Sequence, residues 1–197
     1  MAGKGCRWNI SRHADHTRCL ELIRKTLAKL YPCDDAGSLP STPGRLIDLS
    51  QDFRDLLIAM ADAGADFVLV GGYAVSFHGH GRATKDIDLF IRPSADNAKK
   101  VFAGLRAFGA PLTALAVSEA DLASYGGVVQ LGAEPNRIDI LMHISGVTFD
   151  EADTGHLEFE LDGRTIKVIS LNALLRNKRA SGRRQDLIDV EALEKLL

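Results

Sequence analysis

The chain is poor in several things, and each shortage excludes a class of protein. Only three cysteines occur among 197 residues, and all three (Cys6, Cys19, Cys33) fall in the first 33. An odd count so placed does not make a disulfide framework. No run of about 18 apolar residues exists, which excludes a membrane-spanning helix and a membrane partner. The opening MAGKGCRWNISRHADH has no apolar core of the secretory kind, so the cytoplasm is the expected location. No G-x4-G-K-[ST] run occurs, which excludes a P-loop. Net charge is also small: 24 Lys and Arg stand against 26 Asp and Glu, a net of −2. That balance excludes a protein that holds nucleic acid by bulk charge alone. What remains is an ordinary globular composition, 46% hydrophobic and 25% charged. It is long enough for one domain with a real core and an appendage.

The small net charge conceals an asymmetry. Residues 1–33 carry seven basic side chains (Lys4, Arg7, Arg12, Arg18, Arg24, Lys25, Lys29) against Asp15 and Glu21, a net of +5 that leaves −7 on the rest. Leu20, Ile23, Leu27 and Tyr31 recur at helical spacing, predicting a helix over 14–31 that Pro32 stops. Residues 34–45 (DDAGSLPSTPGR) have linker composition. The division that follows is a basic helical extension and linker over 1–45 and a domain over 46–197. The extension could touch RNA, but packing on the domain or on a second subunit is the simpler use. His13, His16 and Cys19 form an H-x2-H-x2-C run of zinc-ligand type. The spacings to Cys6 and Cys33 close no compact site, so reduced thiols on a helix are expected there.

In the domain, Phe53, Leu56, Leu57 and Met60 predict an amphipathic helix over 50–63. DFVLV (66–70) reads as a strand ending at Gly71-Gly72, with a short helix over 73–78. DIDLFI (86–91) alternates as a half-buried strand. Ser94 opens a helix that runs to Phe108 and Gly109. GVVQL (127–131) and RIDILM (137–142) read as paired strands, and 157–161 with 164–169 as a hairpin turning at Asp162-Gly163. Two helices close the chain, 170–179 capped by Ser170 and 186–196 with Leu187, Val190, Leu193 and Leu197 on one side. The predicted class is α/β (α+β): a small mixed sheet flanked by helices.

Asp86 and Asp88 carry the chemistry. Two apart on a strand, they leave the same face, and together they repel unless a cation intervenes. Magnesium suits clustered carboxylate oxygens completed by phosphates and water. Two harmless surface acids would satisfy the same spacing. Asp139 again stands opposite Ile138, Ile140 and Met142, so three carboxylates would share one face if the two strands are neighbours. Such a face can hold one or two ions for displacement at phosphorus. Gly71-Gly72 would let backbone N–H groups approach a phosphate, although tight turns use glycine pairs constantly. Arg82 and Lys85 precede the acids, and Lys178, Arg179, Arg183 and Arg184 follow near the end. For Arg183 and Arg184, cations gathered at a helix C-terminus are the expected reading. His78 and His80 are expected to pack or turn rather than bind metal.

Read together, Gly71-Gly72-Tyr73-Ala74, His78-Gly79, Arg82, Thr84 and Asp86-Ile87-Asp88-Leu89 resemble the G-G…D-x-D signature of DNA polymerase β-like nucleotidyltransferases. The closer similarity is to the small bacterial branch related to AbiEii-type toxin nucleotidyltransferases, G-G-x-A-x-x-x-H-G-x-x-R-x-T-x-D-I-D. The tail from Leu174 to Leu193 resembles that branch's K-R-x-x-G-R-x-x-D-x-x-D-V-E-x-L segment. The resemblance covers residues 46–197.

It implies the nucleotidyltransferase fold, magnesium (two ions), and transfer of a nucleoside monophosphate from a triphosphate such as ATP to an acceptor hydroxyl. By position, Asp86, Asp88 and Asp139 would be the catalytic, metal-holding acids. Gly71, Gly72, Arg82, Thr84 and Lys178 would bind nucleotide. Many superfamily members have Ser after the glycines, where this chain has Tyr73. The expected acceptor is a tRNA or RNA end or a protein, in a toxin–antitoxin setting with an antitoxin partner. A small-molecule (antibiotic) nucleotidyltransferase, a non-catalytic nucleotide-binding scaffold and a metal-dependent nuclease are the alternatives.

Overall fold

The structure, a computed structural model, describes residues 49–81, 83–133 and 136–196. The predicted N-terminal helix, the linker, the H-x2-H-x2-C run and Arg82 lie outside the described residues.

Ser50 caps the first helix, α1 (Gln51–Asp62), by accepting from the Phe53 N–H, and the predicted face of Phe53, Leu56, Leu57 and Met60 is buried. Chain order then runs β1 (Phe67–Val70), α2 (Gly71–Phe77), β2 (Asp86–Ile91), α3 (Ala95–Phe108), α4 (Glu119–Ala123), β3 (Val128–Leu131), β4 (Arg137–Leu141), α5 (Phe149–Asp153), β5 (Leu157–Leu161), β6 (Arg164–Val168), α6 (Leu171–Ser181) and α7 (Arg184–Glu194). The six strands form one mixed sheet in the order β3-β4-β2-β1-β6-β5. β2 lies antiparallel to β1 and parallel to β4, and β3 and β5 are the edges. This is the predicted α+β class.

Helix α1 packs on α3 and β6, α2 on β1, β2 and α6, and α6 on α7. Alternation along β2 buries Ile87, Leu89 and Ile91 in the core. Its other face carries Asp86, Asp88 and Phe90. Phe90 meets Phe149 of α5 edge to face, with ring centroids 5.2 Å apart, so α5 closes that face beyond the acids. Among the described residues no helix is long and apolar enough to cross a membrane.

Three departures from the expected elements have physical causes. Helix α2 begins at the glycines themselves, because Gly71 takes φ +64° and turns the chain out of β1 without a connecting loop. Helices α4 and α5 were not expected. Each is a single turn held by a reciprocal capping box, Ser118 with Asp121 and Thr148 with Glu151. Helix α7 is rotated from the predicted face: Leu187 is 46% exposed, while Asp186 and Asp189 are buried beside Val190 and Leu193.

Candidate active site

The strand register brings together residues that are 51 positions apart. Asp88 lies directly opposite Asp139, and Asp86 opposite Arg137, across the parallel β2–β4 pair. Partnered residues share a face, so Asp86, Asp88, Asp139 and Arg137 project to the same side of the sheet. On the opposite flank Val70 pairs with Asp88, so the chain leaves β1 into Gly71 beside that carboxylate. An ideal Cβ on Gly71 would stand 1.9 Å from Asp88 Oδ2, so only glycine permits this approach.

The acids are not equivalent. Asp139 is buried and saturated: its Oδ1 accepts from Gln130 Nε2 and Arg137 Nε, both at 3.1 Å, and its Oδ2 from Arg137 Nη2 at 3.2 Å. Asp86 Oδ2 accepts from the same Nη2 at 2.6 Å, whereas its Oδ1 is buried with no hydrogen-bond partner. No hydrogen bond reaches the Asp88 carboxylate among the described residues. Burial, then the negative charges of Asp139 and Asp86, push the Asp88 pKa up to about 6, against a smaller opposing pull from Lys178 and Arg183.

A carboxyl with a raised pKa weakens the fold only where the unfolded chain would ionise and the folded one resists. Below the ordinary value of 3.8 Asp88 is protonated in both states and costs nothing. The cost grows as pH rises towards about 6 and is constant above it. Asp88→Asn is therefore expected to raise the melting temperature at pH 7.5 in chelator-treated buffer, with the gain vanishing near pH 3.5. Thermal melts of both proteins at the two pH values check this.

The carboxylate oxygens, one of them orphaned in the interior, are a donor set suited to a hard divalent cation. The side chains as they stand do not form a cage. Among the described residues no group of three or more His, Cys, Asp or Glu is set to hold an ion. Arg137 lies across the space that Asp86 and Asp139 would share.

The other expected nucleotide-binding residues are placed as follows. Gly72 is buried within α2. The Thr84 hydroxyl donates to the Asp86 carbonyl at 3.2 Å, bracing the start of β2. Lys178 is buried, its ammonium 2.8 Å from both Asp186 Oδ1 and Asp189 Oδ2. Tyr73 turns inward, with its ring edge to face on Phe53 at 5.6 Å. His78 is a packing residue, as expected: it lies 2.8 Å from the Ile169 carbonyl, and burial lowers its pKa. Arg183 does not sit at a helix C-terminus. It is the residue that opens α7, and it donates through Nε to Asp186 at 2.6 Å.

Reading the sequence missed Arg137, and it quoted Asp186 and Asp189 within the tail motif without foreseeing that they turn inward to Lys178. For the last two a signal was present, since D-x-x-D recurs at the spacing of one helix face. Beside Asp139 the sheet stays open at β3: Gln130 and Val128 are exposed, and Tyr125, 71% exposed, leads into that strand.

A family model described as nucleotidyl transferase of unknown function (DUF2204) matches residues 49–197. No curated protein matches the chain.

Proposed function

Because the chain belongs to that nucleotidyl transferase family, we propose that it uses the acid face of β2 and β4 to move a nucleoside monophosphate from a nucleoside triphosphate to an acceptor hydroxyl. The observation that carries this reading is the pairing of Asp88 with Asp139 in register, with Gly71 pressed against Asp88.

Asp86, Asp88 and Asp139 would hold magnesium, two ions in the fullest form. When bound, magnesium would neutralise the charge that develops on phosphate oxygens. The chain's own groups do the rest. Gly71 and Gly72 carry no side chains to bar the triphosphate from the backbone N–H groups that open α2. Lys178, held between Asp186 and Asp189, would support the triphosphate from α6, and Thr84 braces the start of β2. Arg82, immediately upstream, is a further candidate for phosphate contact. Asp139 would orient the attacking hydroxyl or take its proton.

Displacement at phosphorus sets the acceptor opposite the leaving pyrophosphate. With the triphosphate on the β1–α2 side, the acceptor comes over β4 and β3. That face is open and includes the exposed Tyr125 and Val128, which suits an RNA end or a protein better than an enclosed small molecule. The Gly71–Asp88 motif and the segment containing Lys178, Asp186 and Asp189 support membership of the AbiEii-type branch, and that membership would carry a toxin role and an antitoxin partner with it.

The test uses triphosphates labelled at the α or the γ phosphorus, incubated with the protein, a divalent cation and cell extract. Label from the α position is expected in a macromolecule and label from the γ position is not. Transfer of γ label, or shortening of RNA without any triphosphate, contradicts the reading.

A further inference from the structure

We propose that Arg137 is a positioning residue that stands in for the divalent cation. Its guanidinium holds Asp86 and Asp139 together in the cation-free chain and must withdraw before an ion is held between them. The inference rests on the metal-holding role given above to these acids.

Three observations carry it. First, one arginine spans both outer acids: Nη2 reaches Asp86 Oδ2 at 2.6 Å and Asp139 Oδ2 at 3.2 Å, while Nε reaches Asp139 Oδ1 at 3.1 Å. Second, the compensation is incomplete. Asp86 Oδ1 remains buried without a partner. A single charge on a planar fork satisfies two of three carboxylates, where a doubly charged ion could draw on all three. Third, Asp88 pairs in register with Asp139 and Asp86 with Arg137, so all three acids share the face that the arginine occupies.

The register makes the arrangement specific. Arg137 is the cross-strand partner of Asp86 and lies two residues before Asp139 on the same face. It therefore shares the face from which the acids project, and a turn of its long side chain exchanges the carboxylates for solvent or for a substrate phosphate. The energetic consequence is competition. Ion binding has to break the guanidinium contacts, so the apparent affinity falls below the intrinsic one by the fraction of chains in which Arg137 has withdrawn. A residue that merely built the site would act in the opposite direction, and its loss would weaken metal binding.

The test is the affinity of the full-length protein for Mn2+, read by electron paramagnetic resonance of the free ion, without nucleotide or turnover. Arg137→Gln, which keeps a polar side chain but no charge, is expected to bind Mn2+ at least tenfold more tightly than the unaltered protein. Its melting temperature is expected to be lower in chelator and to recover on adding Mn2+, because the ion replaces the lost positive charge. Arg137→Lys retains the charge but loses the fork, and an intermediate affinity is expected.

Arg137→Gln that folds and binds Mn2+ equally or more weakly overturns the proposal. If Arg137→Gln does not fold even with Mn2+, the lysine variant decides: tighter binding supports the proposal, and unchanged or weaker binding overturns it. Absence of Mn2+ binding in all three proteins overturns it together with the metal-holding role. Binding by the unaltered protein with no gain in either variant overturns this inference alone.

Discussion

Gly71→Ala is expected to lose nucleotidyl transfer by about a hundredfold or more while leaving most of the fold intact. Two effects coincide at this position. The residue sits at φ +64°, where a side chain costs about 1–2 kcal/mol. The added Cβ also falls 1.9 Å from Asp88 Oδ2 and 2.5 Å from Asp88 Cγ, so the carboxylate has to move. A displacement of about 1 Å at a reacting centre costs on the order of a hundredfold in rate. The backbone strain alone would lower stability without singling out activity. Label transfer and thermal melts on the same sample separate the two effects: a modest drop in melting temperature with near-complete loss of transfer is the expected pair. Full activity in Gly71→Ala would show that Asp88 can leave its place without consequence.

Lys178→Met is expected to destabilise the chain by about 3–5 kcal/mol, the range for removing one partner of a buried ion pair. The ammonium lies between Asp186 and Asp189, and all three residues are buried. Asp186 keeps Arg183 and Ser181 when the lysine is gone. Asp189 is fully buried, with Gln185 Nε2 donating to its Oδ1 at 3.1 Å and the ammonium facing its Oδ2, so the lysine is the charge that offsets its burial. Lys178→Met combined with Asp189→Asn should therefore recover a large part of the loss, which denaturant melts of the single and double variants measure. The same lysine opposes the rise in the Asp88 pKa. Its removal should thus push that pKa higher still and move the acidic limb of the activity profile upward.

Strands β2 and β4 were legible from alternation, because one face of each is largely apolar and the other carries the acids, whereas β1 read as a continuous apolar run. That pattern placed Asp86, Asp88 and Asp139 on one face before any register was known. The register itself, Asp88 opposite Asp139, is a long-range pairing, and no local spacing encodes it. Arg137 was hidden for the same reason. It reads as the polar start of a strand until its partner across the sheet turns out to be Asp86. Helices α4 and α5 are five residues each, too short for periodicity to register. Their capping boxes were the available signal. The face of α7 was misread because the rule that buries leucine and exposes aspartate assumes unpaired charges. Here a buried lysine from α6 makes Asp186 and Asp189 the inward residues and leaves Leu187 half exposed.

Asp88→Asn asks whether the acid face of β2 and β4 carries nucleotidyl transfer. This variant keeps the shape of the side chain and is expected to fold at least as stably as the unaltered chain at pH 7.5, so a loss of activity cannot be ascribed to unfolding. The measurement is incorporation of α-labelled nucleotide into macromolecular acceptor, with divalent cation present, by the two proteins side by side. Robust incorporation by the unaltered chain and at least a hundredfold less by Asp88→Asn are expected. Equal incorporation by both would contradict that role for the acid face.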